Sequence, residues 1–489
     1  MITARAFAGK HYAVYGLARS GMATVAALLA SGAKVTAWDA KEEARAKILP
    51  GTGRGTSEAG GGAEDRAIDP SVSPDGLPPP RSGEDLVIAN LDEIDLAQFD
   101  SLVVTPGLPL NRHPIAARVR EAGVEIIGDI ELFARARPEL PPHKVVGITG
   151  TNGKSTTTAL IHHILQTAGV PATMGGNIGL PILAQDPLPE GGVYVLELSS
   201  YQLDLTQSLD CDVAVLLNIT PDHLDRYESF EAYAASKARL FDMQSEDHWA
   251  VLLTDDDLTD LIAVELDWKV YPATSTGWAE SGASFAKGRV NFQRKQSYVY
   301  LSGDPVSPQR DWPTLQGPHN AQNVVAATAV AELLGVTGRS FELLERSLPT
   351  YPGLPHRMER IREKDGVLFV NDSKATNPTA TAPALAAFDK IRWICGGQAK
   401  TDNLDECAPH FAHVRSAYTI GEAADLFERL LSPHFPTKNC GKLDAAVRAA
   451  AADAERGDTV LLSPACASFD QFKDFEDRGD QFRAQVEDL

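Results

Sequence analysis

Lys144-Val-Val-Gly-Ile-Thr-Gly-Thr-Asn-Gly-Lys-Ser-Thr156 is the stretch whose reading decides the fold. Its first six residues form an apolar, β-branched run suited to a buried strand, four turn-forming residues follow, and a helical pattern opens at Ser155. Strand, glycine-rich loop and helix in that order make an anion cradle. Gly150 and Gly153 let backbone N–H groups of Gly150, Thr151, Asn152 and Gly153 turn toward phosphate oxygens, and the helix N-terminus adds a favourable dipole. Lys154 can reach the β- and γ-phosphates, and the hydroxyls of Ser155 and Thr156 stand where the loop meets the helix, with Ser155 suited to Mg²⁺. The usual spacing places a glycine at 148; here that position is Ile148 and the glycine is Gly150. A glycine turn without a ligand is the plainer alternative, and the strand–loop–helix context argues against it in favour of ATP.

Upstream, His11-Tyr-Ala-Val-Tyr15 reads as a strand, Gly16-Leu-Ala-Arg-Ser-Gly21 as a tight turn into an Ala-rich helix, and Lys34-Val-Thr-Ala-Trp38 as a second strand ending at Asp39. This order predicts a parallel sheet of nucleotide-binding topology. Ala18 replaces the middle glycine of the dinucleotide fingerprint, so a nicotinamide site, another nucleotide site and simple helix–strand packing all remain open there. From about Pro50 to Gly83 the chain is crowded with Gly, Pro, Ser and Asp, which reads as a surface insertion or a lid. Leu102-Val-Val-Thr105 then leads into Pro106-Gly107.

Downstream, Val193–Glu197 and Val213–Leu217 continue the second sheet, and Tyr351-Pro-Gly-Leu-Pro355 reads as a hinge. Val367–Val370, Ile391–Ile394 and Thr459–Leu462 supply a third set of strands. The expected fold class is α/β with three consecutive domains. They are a Rossmann-like domain at 1–128, a P-loop domain at 129–355 and a second Rossmann-like domain at 356–489.

Bulk properties narrow the function. With 489 residues the chain exceeds one hydrophobic core, and 43% hydrophobic with 23% charged residues is ordinary for a globular protein. A net charge of −21 argues against a general nucleic-acid binder. Five scattered cysteines without C-x-x-C spacing fit reduced thiols, and no apolar run is long enough to span a bilayer, so a cytoplasmic chain without membrane partners is expected.

Two acidic or mixed clusters follow the strands after the loop. Glu197, at the end of Val193–Leu196, is placed for Mg²⁺ or for a helix N-terminus. Asn218-Ile-Thr-Pro-Asp-His223-Leu-Asp-Arg-Tyr227 sets a histidine among oxygen donors, suited to a second cation. Lys237 is either a solvated helix lysine or, if carbamylated, an anionic metal ligand, since a free ammonium beside two divalent cations is repelled by about 4 kcal/mol per unit-charge pair.

Taken together, Thr149–Ser155, Gly175-Gly-Asn-Ile-Gly179, Glu197-Leu-Ser-Ser200, Asn218–Tyr227 and Gly317-Pro-His-Asn-Ala-Gln-Asn323 resemble the Mur ligase family. Asn371-Asp-Ser-Lys-Ala-Thr-Asn377 and Leu462-Ser-Pro-Ala-Cys-Ala-Ser-Phe-Asp-Gln-Phe472 resemble its D-glutamate-adding branch, and the likeness runs through nearly the whole chain apart from the insertion. The resemblance implies an ATP-driven amide ligase of peptidoglycan precursor synthesis, probed by three substrates: ATP, UDP-N-acetylmuramoyl-L-alanine and D-glutamate. It implies that Lys154 and Ser155 hold ATP and Mg²⁺ with Glu197, and that His223 and a carbamylated Lys237 serve a second ion. Asn320 and Asn323 fall on the adenine side, and Arg357 and Asp372 on the ATP-contacting pair. Leu17, Arg19, Ser20, Asp39, Gly107 and Asn177 match the UDP-substrate positions. Lys374, Thr376, Lys400, Ser468 and Phe475 match the D-glutamate pocket, and a monomer is expected.

That chemistry requires an acyl phosphate, because a carboxylate is a poor electrophile; exclusion of water by closure about Pro352 is expected to protect it. The competing classes are a mechanical P-loop ATPase, a nicotinamide dehydrogenase, a non-catalytic nucleotide binder and a folylpolyglutamate synthase. A mechanical ATPase needs no D-glutamate pocket, and folylpolyglutamate synthases share the phosphate loop but are not expected to carry the C-terminal motifs.

Overall fold

A computed structural model describes residues 1–48, 85–222, 226–253, 258–259, 261–262, 270–273, 298–301, 304–337 and 342–489. The Gly/Pro-rich insertion and His223 lie outside the described residues. The chain divides into two compact units, one built on Met1–Pro272 with Val330–Val336, the other on Thr337–Leu489 with the described part of Arg289–Ala329.

The first unit holds two sheets. One is five-stranded, with β1 (His11–Tyr15), β2 (Lys34–Trp38), β3 (Leu86–Ile88), β4 (Ser101–Val104) and β5 (Glu125–Ile127) in the order β3-β2-β1-β4-β5. All four of its strand pairs are parallel, and the order reverses between β1 and β4. The other sheet contains β6 (His143–Thr149), β7 (Ala172–Gly176), β8 (Gly192–Glu197), β9 (Val213–Leu216), β10 (Trp249–Leu253) and β11 (Val270–Ala273), ordered β11-β10-β9-β6-β8-β7. Strands β8 and β9 are buried along their whole length, as expected where helices cover both faces of a parallel sheet. β6 is central, and its register sets Ile148 opposite Glu197 of β8 and Thr149 opposite Leu216 of β9. The carboxyl ends of three adjacent strands therefore finish level, at the point where strand order reverses and ligands bind in open α/β sheets.

In the second unit, β12 (Tyr298–Leu301) and β13 (Asp304–Pro308) pair as an antiparallel ribbon. A six-stranded sheet follows, with β14 (Glu359–Lys364), β15 (Val367–Asn371), β16 (Ile391–Gly396), β17 (Val414–Ile420), β18 (Thr437–Gly441) and β19 (Thr459–Leu462) in the order β14-β15-β19-β16-β17-β18. Only the edge strand β14 is antiparallel to its neighbour. The sheet's two faces each carry a packed cluster, around Trp393 and Leu461 on one side and Tyr418 and Phe482 on the other. The Pro-rich stretch at 351–355 is tied to this unit by a bond from Thr314 Oγ1 to the Tyr351 carbonyl. Among the described residues no helix is long and apolar enough to cross a membrane.

Polar contacts join the two sheets of the first unit. Helix Asp129–Ala136 follows β5 and buries Glu131, which accepts from the backbone of Gln207 and Ser208, from Ser208 Oγ and from Arg135 Nε at 2.7 to 2.9 Å. Two backbone donors, a hydroxyl and a guanidinium thus satisfy a carboxylate that is 1% exposed. Removing it strips all four donors of their shared acceptor at a part-buried site, although Arg135 keeps its bonds to Glu125. Glu131→Ala is expected to lower unfolding stability by about 3 kcal/mol, with Glu131→Gln losing roughly half of that, as urea unfolding of the three proteins will measure.

Candidate active site

The loop after β6 depends on glycine. Gly150 has φ +148°, and a Cβ there would lie 3.0 Å from Leu217 Cβ and 3.3 Å from the Asn218 amide. Gly153, at φ +84°, precedes helix Lys154–Thr167 without a side-chain cap, leaving the helix N-terminus open to an anion. Asn218 braces the loop from β9. Its carbonyl accepts from Thr151 N at 2.9 Å, its Oδ1 from Asn152 N at 2.8 Å, and its Nδ2 donates to the Asn152 carbonyl. Lys154 Nζ folds back onto the carbonyls of Gly150 and Thr151 at 2.8 and 2.7 Å. Ser155 is buried in the first turn, and Thr156 beside it is half-buried.

Lys237 is brought to the same loop. It projects from helix Phe230–Asp242, is 1% exposed, donates to the Gly150 carbonyl at 2.9 Å and lies 4.4 Å from the Tyr233 ring centroid. Burial, reinforced by the nearby Lys154 charge, holds its amine well below the usual ammonium range. The solvated-lysine reading is therefore corrected: the side chain is buried, and sequence periodicity missed this because a helix lysine usually faces solvent.

Glu197 ends β8 and is 3% exposed. Its Oε1 accepts from Asn177 Nδ2 at 3.1 Å, while the Asn177 amide donates to the Glu197 carbonyl at 2.8 Å. Glu197 Oε2 is buried with no hydrogen-bond partner among the described residues. A carboxyl oxygen left so at a strand end beside the loop fits a divalent cation, which would complete its shell with phosphate oxygens and water. Among the described residues no three His, Cys, Asp or Glu side chains form a ready-made metal cluster.

Apart from Asn177, which follows β7 of the second sheet, the proposed UDP-substrate residues sit at the carboxyl ends of the first sheet. Asp39, after β2, accepts from Leu17 N at 2.7 Å and Lys41 N at 2.8 Å, fixing the turn after β1. Gly16 has φ +98°, and a Cβ on it would meet Thr105 Oγ1 at 2.3 Å. Ala18 caps helix Arg19–Ala30 without a side-chain bond. Arg19 donates to the Gly179 carbonyl at 3.3 Å, and Ser20 follows in the first turn. Gly107 is exposed after β4, and nothing lies within 4 Å of where a Cβ would stand.

The second unit gathers its own set. Asp372, just after β15, is 6% exposed and accepts from Ser463 Oγ at 2.7 Å and from the Met358 amide at 3.1 Å. Burial pushes its carboxyl up to about 7, against the opposing pull of the Ser463 bond and the Arg357 charge. Lys374 Nζ stands 3.7 Å from the Phe475 ring centroid. Ser468 is buried, and backbone bonds between Gln398 and Ala467 tie its loop to the one carrying the exposed Lys400. Thr376 is half-buried next to Asn377, the cap of helix Pro378–Ala387. In helix Pro318–Leu333, Asn320 and Asn323 are buried neighbours, with Asn323 Nδ2 donating to Asn320 Oδ1 at 3.0 Å.

Sequence reasoning missed Arg478. Fully buried, it donates to the Ser373 hydroxyl and carbonyl and to the carbonyls of Cys466 and Ala467, so one guanidinium holds the loops bearing Lys374 and Ser468. No local signal separates it from a surface arginine.

A phosphate-binding loop with a buried acid and a buried lysine defines a nucleotide-dependent P-loop protein, and the comparisons specify which. Residues 148–331 match the Mur ligase middle domain and residues 356–466 the Mur ligase glutamate ligase domain. The chain belongs to the Mur ligase family. It is 54% identical over 489 residues to UDP-N-acetylmuramoylalanine--D-glutamate ligase of Novosphingobium aromaticivorans, covering 100% of this chain and 97% of that one. The protein of that name from Sphingopyxis alaskensis is 53% identical, with 100% of both chains covered. The solved UDP-N-acetylmuramate-alanine ligase of Thermotoga maritima shares the fold at TM-score 0.55 and 17% identity, over 98% of this chain and 99% of that one.

Asp372 offers a pH test. The folded carboxyl keeps its proton to about 7, whereas an unfolded one loses it near ~4, so the folded state binds the extra proton between those values. Stability then falls as pH rises across that window and levels off above it. Between pH 5 and pH 8 the native chain should lose about 2–3 kcal/mol more than Asp372→Asn in urea unfolding.

Proposed function

We propose that the chain uses ATP to join the amine of D-glutamate to the alanine carboxylate of UDP-N-acetylmuramoyl-L-alanine, releasing ADP and phosphate. The observation that carries this reading is the convergence of Gly150, Lys154, Glu197 and Lys237 at one sheet edge, in a chain whose close relatives bear that activity in their names. Residues 1–128 serve the UDP substrate through Leu17, Arg19, Ser20, Asp39 and Gly107, with Asn177 from the central sheet. Residues 129–355 bind ATP, and 356–489 supply Lys374, Thr376, Lys400, Ser468 and Phe475 to D-glutamate and Arg357 and Asp372 to ATP. All the substrates are small, charged and water-soluble, consistent with a monomer acting in the cytoplasm.

The substrate carboxylate attacks the γ-phosphorus of ATP, the bond to the ADP oxygen breaks, and an acyl phosphate forms. Lys154 offsets the charge that shifts onto the leaving oxygen. The neutral amine of D-glutamate then attacks the acyl carbon, loses a proton, and phosphate departs. Ser155 and Glu197 would hold Mg²⁺, which when bound would neutralise charge at the phosphates, and His223 and carbamylated Lys237 would hold a second ion. The low proton affinity of Lys237 favours the neutral amine, the form that adds CO₂ to give a carbamate.

Phosphate release with each substrate omitted in turn tests the reading. It should require ATP, UDP-N-acetylmuramoyl-L-alanine and D-glutamate together, with L-glutamate at least a hundredfold poorer in kcat/KM, because inversion leaves a charged group unpaired. Release that is independent of the amino acid sinks the ligase assignment.

The carbamate has a separate test. Lys237→Ala should lose nearly all activity and regain part of it in acetate or formate, which refill an anionic ligand position. Lys237→Arg should be as impaired as the alanine variant; an active arginine variant rejects the carbamate.

A further inference from the structure

Arg226 links two loops that the proposed chemistry keeps apart. Its NH2 donates to the Gly107 carbonyl at 3.2 Å, and its own carbonyl accepts from Asn111 Nδ2 at 3.1 Å, so the turn after β4 is held from both sides. The guanidinium carbon lies 4.5 Å from the Tyr201 ring centroid. Tyr201 stacks on Tyr227 at 6.0 Å with an interplanar angle of 11°, and Tyr227 meets Tyr233 at 5.4 Å. Tyr233 OH is 3.2 Å from Thr151 Oγ1 in the phosphate loop. Hydrogen bonds from Tyr227 OH to Asp204 and with Ser236 fix the middle ring between helices Ser200–Asp204 and Phe230–Asp242. A cation and three rings thus run without a gap from the Gly107 turn to Thr151, at spacings within the attractive range for such contacts.

We propose that Arg226 is a positioning residue that couples the Gly107 turn to the phosphate loop, so that occupancy of one nucleotide site tightens the other. This rests on the reading that the Gly107 turn receives the UDP substrate. A planar guanidinium can donate in its plane to a carbonyl while its flat face lies on a ring, a geometry that an ammonium lacks. A ligand that orders the turn fixes Arg226 over Tyr201, and the stack restricts Tyr233 against Thr151. Coupling of this kind is reciprocal: each ligand must raise the other's affinity by the same factor. Spatial continuity alone does not establish it, so the test reads the coupling itself.

Calorimetric titration of the full chain with a non-hydrolysable ATP analogue and Mg²⁺, with and without UDP-N-acetylmuramoyl-L-alanine, measures that factor. The native chain should bind the analogue at least fivefold tighter when the UDP substrate is present. Arg226→Ala and Tyr201→Leu should each bind the analogue alone within twofold of the native chain and show an enhancement below twofold. A role confined to packing would lower the melting temperature and leave the ratio intact. Arg226→Lys keeps the charge without the planar fork and decides the case if the alanine variant does not fold. An enhancement retained in any folded variant, or absent from the native chain, overturns the proposal. Failure of the native chain to bind the UDP compound at all counts against the functional reading instead.

Discussion

Two lysine amines converge on the single carbonyl of Gly150, and the central site is organised around that meeting. Both donors can reach it only because Gly150 occupies a backbone region closed to other residues and lies against Leu217 and Asn218 where a side chain would collide. Burial of Lys237, reinforced by the Lys154 charge that shares its acceptor, holds the Lys237 amine well below the usual ammonium range. Glu197, level with Ile148 through the sheet register, brings a carboxyl group to the edge where the loop begins.

The second unit reaches a comparable order by another route. Arg478 is buried without a carboxylate partner in hydrogen-bonding contact among the described residues; it donates to three carbonyls and one hydroxyl. Burying a guanidinium is costly unless its donors are satisfied, so the loops at Ser373 and at Cys466–Ala467 must adopt the conformation that supplies those acceptors. Asp372 lies on the same sheet edge, held by Ser463 from the adjacent strand's end and by the Met358 amide. Positive φ at His356, Met358 and Ala465 marks the backbone strain stored around this arrangement.

Much of this was legible in the residues. Strands β1, β2 and β19 match the apolar runs read from the sequence residue for residue, since a strand buried on both faces writes itself as an uninterrupted hydrophobic segment. Edge and partly exposed strands such as β3, β14 and β18 carry mixed residues and left no such trace. The phosphate loop was readable because its glycines and lysine act through local backbone geometry. Arg226, Arg478 and the burial of Lys237 were not, because each depends on partners tens to more than a hundred residues away.

By itself, then, the sequence determined the α/β class, the phosphate loop and the family motifs at the strand ends, all properties of short contiguous segments whose period or turn chemistry is local. Only the tertiary structure decided that Lys237 is buried beside Gly150, that one oxygen of Glu197 is buried with no hydrogen-bond partner among the described residues, and that Arg226 bridges the Gly107 turn to an aromatic stack. The physical reason is that desolvation and hydrogen-bond satisfaction are set by what surrounds a group in space, and helix or strand period reports only which face the group starts from.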